Sequence, residues 1–200
     1  MSTIFYLFGA IAIFLYSWAS ISLGRRLFLR QNVAIDKRFP IVIGIGAATL
    51  HGLVLFSTIP AASGINLSFF NALSLLTWFI AALLLIASIY KPVENLAIVL
   101  LPLTALSLLF SLVFPSSTHI IDDETIGLDI HIITSILAFA LLNIAAIQAL
   151  LLAIQNRHLR NKHPGGFIRS LPPLQTMELL LFQMIGLGFI LQTLSLISGF

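Results

Sequence analysis

The 200-residue sequence has no cysteine, and only 8% of its residues are charged. The first absence excludes a small secreted domain stapled by disulfides. The second excludes an ordinary soluble domain, which carries about 25% Asp, Glu, Lys and Arg. It also excludes a disordered chain and a nucleic-acid module, both of which depend on dense charge. Basic residues are absent from every second connection along the chain. What remains is 59% hydrophobic, with a mean hydropathy of +1.08, the composition of an integral membrane protein.

Six uncharged, mostly apolar runs stand out: Thr3–Leu23, Ile41–Ile59, Phe69–Tyr90, Leu96–Phe114, Ile130–Ile154 and Leu179–Phe200. Each is close to the ~20 residues that a helix rising ~1.5 Å per residue needs to cross ~30 Å of hydrocarbon. A membrane β-barrel would instead show alternating apolar and polar residues in stretches of about ten. The sequence therefore predicts an all-α polytopic bundle of six spans. The first run lacks a basic flank and a small-residue cleavage site, so it is expected to stay as a helix. The stretch Leu191–Phe200 stops inside an apolar run, so the chain is expected to continue into further helices. With no repeat or linker, residues 1–200 are expected to form a single transmembrane domain.

All ten Lys and Arg fall in odd-numbered connections: Arg25, Arg26, Arg30, Lys37 and Arg38 in the first, Lys91 in the third, and Arg157, Arg160, Lys162 and Arg169 in the fifth. The fourth carries Asp122, Asp123, Glu124 and Asp129 instead. The positive-inside rule places the odd connections in the cytoplasm and the N-terminus outside.

Ionisable groups inside spans are functional candidates, because each is costly to bury in lipid. His51 lies near the middle of the second run, and Gly44, Ala47, Ala48, Leu55 and Thr58 share its helical face. It is either a hydrogen-bonded packing partner or a ligand or proton-handling group. His131 opens the fifth run near the external surface, above a smooth face of Ser135, Ala138, Leu142, Ala145 and Ala149. That strip suits a flat macrocycle whose metal the imidazole ligates, and equally suits plain helix packing. The depths of His51 and His131 differ by about half a bilayer, too far for both to grip one iron. His119 reads as a solvated loop residue, and His158 and His163 as part of the basic end of helix five. Glu178 is expected to favour the positive end of helix six, and Gly188, Gln192, Ser195 and Gly199 to form a helix-contact stripe. No phosphate-binding loop, metal-spaced cluster or nucleophile arrangement appears, so no catalytic residue is assigned and enzymatic activity stays open.

The stretch Leu128-Asp-Ile-His-Ile-Ile-Thr-Ser-Ile-Leu-Ala-Phe-Ala-Leu-Leu142, with the later Ile185-Gly-Leu-Gly-Phe189 and Leu196-Ile-Ser-Gly199, resembles the cytochrome c assembly family of the CcsA, ResC and CcmC type. The family's Gly-His-x-Pro-Leu-Ser-Asn-x-Tyr-Glu segment corresponds to Ser63-Gly-Ile-Asn-Leu-Ser-Phe-Phe-Asn-Ala72, which has neither the histidine nor the glutamate. Together with Pro172-Pro-Leu-Gln-Thr-Met-Glu178, this places the resemblance nearest the YpjD- and HemX-like branch. The resemblance implies a bacterial inner-membrane protein that binds or handles haem at the outer face, with His131 as ligand to the haem iron. His51 is kept as a second cofactor-binding candidate at a separate, deeper site. Partners are the lipid bilayer, haem and other membrane proteins, with no nucleic acid. Two other classes stand beside this one: a non-catalytic membrane partner or regulatory subunit, docking through its small-residue stripes, and a small-solute transporter, for which only Pro102 argues.

Overall fold

All six runs are helical in the computed structural model, which describes residues 3–29, 38–61, 64–114, 120–121, 126–161 and 171–199. The helices are α1 (Thr3–Leu29), α2 (Arg38–Thr58), α3 (Phe69–Tyr90), α4 (Glu94–Val113), α5 (Ile126–Arg160) and α6 (Leu174–Ser198). Each is long and apolar enough to cross a membrane. In hydrocarbon only a helix satisfies its own backbone without help, which is why continuous apolar runs settle into this form.

Every helix but α3 extends beyond its apolar segment. The first, α1, continues past Leu23 through the exposed Arg25 and Arg26, cations that suit a helix C-terminus. The 35 residues of α5 begin before the apolar run and end on Arg157, His158 and Arg160. At ~1.5 Å per residue it is about 52 Å long, well beyond the hydrocarbon. Pro173 caps α6, its carbonyl accepting from the amides of Thr176 and Met177 at 2.9 and 3.1 Å. That earlier start puts Glu178 in the second turn, exposed, and not in the first turn where the helix dipole would hold it.

Neighbouring helices alternate in direction. Ser20 of α1 meets Ile98 of α4, His51 of α2 meets Ser74 of α3, and Gln155 of α5 meets the Pro172 carbonyl just before α6. Helices α1 to α4 pack as one bundle, and α5 and α6 form a hairpin that reaches it chiefly through α3. Lipid supplies no hydrophobic drive between helices, so close approach through small residues does the holding. A Cβ built on Gly44 would stand 2.7 Å from the Leu85 side chain, so hydrogen at that position lets α2 and α3 touch. Buried Ala19, Ala47, Ala81, Ala97 and Ala105 continue this smooth interior around Tyr16, Leu84, Leu85, Leu96 and Leu101.

Pro102 lies inside α4 without ending it. Proline has no amide hydrogen, so the carbonyl four residues earlier, that of Ile98, loses its helical donor. Ser20 replaces that donor, its hydroxyl donating to the Ile98 carbonyl oxygen at 2.9 Å from across the α1–α4 contact. The helix therefore stays continuous, and Pro102 marks a cross-helix bond where the transporter expectation looked for a break.

One feature at the external ends is not helical. Strands β1 (Pro60–Ala61), β2 (Gly64–Asn66) and β3 (Ile120–Ile121) form an antiparallel sheet, with Ile65 opposite both Pro60 and Ile121. Pro60 opens an edge strand, where its missing amide costs no ladder bond. The sheet ties the α2–α3 connection to the segment ahead of α5.

Candidate functional site

His131 is the sixth residue of α5, one turn deeper into the helix than the apolar run indicates, because the helix starts at Ile126. Its Nδ1 lies 2.8 Å from the backbone carbonyl oxygen of Ser195 on α6. A carbonyl only accepts, so Nδ1 carries the proton and donates it. In the neutral ring this sets the tautomer and leaves the Nε2 lone pair available. The Ser195 side chain is buried and its hydroxyl pairs with that of Ser135, one turn below His131. Gly199 lies against the imidazole: a Cβ there would come within 2.9 Å of both Cε1 and Nδ1. The ring is thus held by a carbonyl, a hydroxyl pair and a glycine.

Beside this imidazole runs a groove of about 600 Å³ between α3 and α5. Leu67, Phe69, Ala72, Leu73 and Leu76 form one wall, and His131, Ile132, Ser135, Ile136 and Phe139 the other, with Gln192 of α6 at the edge. The volume falls within the ~300–1,000 Å³ of ligand pockets, and its apolar lining with a few polar groups is the usual chemistry of one. The smooth strip of Ala138, Leu142 and Ala145 does not face this space. It is covered by α6, where Gly188 admits Leu142 against the backbone, and Ala138 and Ala145 are buried. Small residues attract a neighbouring helix as readily as a ligand, and here the helix takes the face. Of the expected α6 stripe, Gly188, Ser195 and Gly199 make that contact and Gln192 turns to the groove.

His51 belongs to a different place. It is wholly buried in α2, with Nε2 2.9 Å from the Ser74 hydroxyl of α3 and the Tyr16 ring of α1 edge-on at 6.0 Å between centroids. Gly44, Ala47, Ala48 and Leu55 are buried with it, as the shared face predicts. It lines no part of the His131 groove, so the structure keeps the two imidazoles apart. His158 donates from Nδ1 to the Ile154 carbonyl at 2.9 Å on the exposed end of α5. His119 and His163 lie outside the described residues. Among the described residues, no three His, Cys, Asp or Glu side chains gather as a metal cluster.

Sequence reasoning missed Tyr16, Gln148 and Gln155. The two glutamines are buried and donate to the carbonyls of Met177 and Pro172 at 3.1 and 2.9 Å, locking the half of the α5–α6 hairpin nearest its connection. Amides inside an apolar helix were the available signal.

Residues 40–200 match the family described as Cytochrome C assembly protein. The chain is similar to inner membrane protein YpjD of Escherichia coli strain K12, 31% identical over 171 residues that cover 82% of this chain and 62% of that protein. It is also similar to an uncharacterized 28.8 kDa protein in the nifR3-like 5' region of Azospirillum brasilense, 36% identical over 61 residues covering 30% of this chain and 22% of that one. No solved structure gives a significant match. The chain thus spans less than two thirds of the length of these relatives. Six membrane-crossing helices, an extended match to one family and an inner-membrane relative lead to one identification: this chain is a multi-pass inner-membrane protein belonging to the cytochrome c assembly protein family.

Proposed function

We propose that this protein handles haem at the external face of the inner membrane in the service of cytochrome c biogenesis, with His131 as the ligand to the haem iron. Family membership supports the role in biogenesis. The observation that carries the finer assignment is the state of the imidazole: Nδ1 is committed to the Ser195 carbonyl at 2.8 Å, and the ring lines an apolar groove of about 600 Å³. A backbone acceptor on the far nitrogen is the usual second-shell partner of a metal-ligating histidine, since it fixes the ring's orientation and raises its basicity. The residues present fit the group, because the groove offers apolar walls for a macrocycle and one oriented nitrogen for its metal. Bound haem would supply an iron centre that accepts Nε2. Ser195, Ser135 and Gly199 orient the imidazole, Ile132, Ile136 and Phe139 exclude water from one side, and Leu73 and Leu76 do so from the other.

The test is the haem content of the purified full-length protein, read from its Soret absorbance. His131→Ala should lose most of the bound haem, and His158→Ala, which removes an exposed imidazole at the other end of α5, should keep it. Equal haem content in the two variants removes His131 from the ligand position.

A further inference from the structure

Away from the His131 groove, two of the unpaired buried polar atoms in the α1–α4 bundle belong to side chains in contact with each other. Tyr16 Oη and His51 Nδ1 are both buried, and neither has a hydrogen-bond partner among the described residues. Both residues are 0% exposed. They are not scattered, because their rings meet edge to face at 81°, with 6.0 Å between centroids. A buried hydroxyl or ring nitrogen left unpaired forfeits its hydration without return, so such groups are rare and demand a partner. The nearby candidates are already committed. On α1, Ser17 donates to its own helix at the Ile13 carbonyl and Ser20 to the Ile98 carbonyl. The Trp78 indole donates to the Ala48 carbonyl at 2.7 Å. Ser74 serves the other nitrogen of the same imidazole at 2.9 Å.

We propose that Tyr16 and His51 together hold a resident water molecule between α1 and α2. Water suits the site because it both donates and accepts: a phenol hydroxyl can do either, and an imidazole nitrogen does whichever its tautomer dictates. A buried water with two polar partners meets the usual minimum for a structural one. The site has a continuation on its far side. From His51 Nε2 the polar contacts run to the Ser74 hydroxyl, and the Ser74 carbonyl accepts from Thr77 Oγ1 at 3.1 Å. The Thr77 hydroxyl pairs with that of Ser107, and Thr104 donates to the Leu100 carbonyl one helical turn away on α4. The water is the α1 end of this polar seam through an otherwise apolar bundle, and His51 is the group that joins the two. This assignment is independent of haem at His131, since neither Tyr16 nor His51 lines that groove.

Tyr16→Phe tests it, because the two situations differ in sign. The substitution keeps the ring and its edge contact and removes only the hydroxyl. If the hydroxyl bonds a water shared with His51, the full-length protein in detergent melts lower by roughly 2–4 °C, the shift that about one lost hydrogen bond produces in a chain of this size. If the hydroxyl has no partner, its removal relieves a buried polar group and the protein melts at the same temperature or higher. A second measurement separates water from a direct Tyr16–His51 bond. Infrared difference spectra of hydrated films in H2 16O and H2 18O should show an isotope-sensitive internal-water O–H band in the parent protein that Tyr16→Phe lacks. An unchanged or raised melting temperature overturns the proposal, and so does the same set of isotope-sensitive bands in both proteins.

Discussion

The bond from Ser20 to the Ile98 carbonyl makes a prediction whose size depends on a third residue, Pro102. In Ser20→Ala the Ile98 carbonyl loses its donor, and Pro102 prevents the helix from supplying another. Ser20 is only 5% exposed, so water does not readily take its place. An interhelical hydrogen bond in a membrane averages ~0.6 kcal/mol and reaches ~1.7, and leaving a buried carbonyl unpaired costs about 1–3 kcal/mol. Ser20→Ala should therefore destabilise the protein by about 1–2 kcal/mol. In a Pro102→Ala background residue 102 has an amide hydrogen that closes the helical bond to Ile98, so the same Ser20→Ala change should cost close to nothing. The coupling between the two positions is then about 1–2 kcal/mol, above the ~0.5 kcal/mol within which distant side chains with no shared partner add. Reversible unfolding of the four proteins in mixed micelles, from parent to double variant, measures it. A Ser20→Ala cost that is the same with Pro102 and with Ala at that position would refute the argument that the serine substitutes for the missing amide.

Other expectations follow from the same packing. Gly199→Ala puts a methyl 2.9 Å from the His131 ring, so haem content should fall although the histidine is retained, and an unaltered Soret amplitude would show that the ring's placement does not matter. Gly44→Val adds bulk where even a Cβ is 2.7 Å from Leu85; overpacking of this kind costs about 1–3 kcal/mol, visible as a lower melting temperature, and unchanged melting would mean α2 and α3 are not in close contact. The native chain has no cysteine, so single cysteines at Ser116 and Asn161 should react with an impermeant thiol reagent from opposite sides of the membrane, and labelling from one side only contradicts the topology.

Hydropathy marks where lipid is, not where a helix stops. The six spans follow from apolar run lengths, a local property of the chain. Helix ends do not, because Arg25 to Leu29, Ile126 to Asp129 and Gln155 to Arg160 remain helical outside the hydrocarbon. Strands of two or three residues carry no periodicity, so the external sheet left no trace in the pattern. His131 stood out by type and depth, but the space beside it did not. The small residues beneath it suit a flat ligand and a neighbouring helix equally, and only tertiary packing shows that α6 fills that face and leaves the adjoining one, toward α3, unfilled. Ser20 and Tyr16 stayed hidden for another reason. Serine and tyrosine in an apolar helix look alike whether they pair or not, and the partner of Ser20 is 78 residues away.

The small external sheet sets a physical limit on the groove. Strand β2 runs directly into Leu67 and Phe69, on one wall, and β3 lies just ahead of the helix that bears His131, on the other. Paired backbones stand about 4.8 Å apart whatever their side chains, so the ladder from Ile65 to Ile121 clasps the segment leading into one wall to the strand ahead of the other. The spacing at that end is set by main-chain hydrogen bonds, while the His131 ring deeper down is held by α6. On the proposed haem reading, aperture and grip are then set separately: a change in the sheet would alter how fast the groove fills and empties, and a change at Ser195 or Gly199 would alter how firmly haem is held.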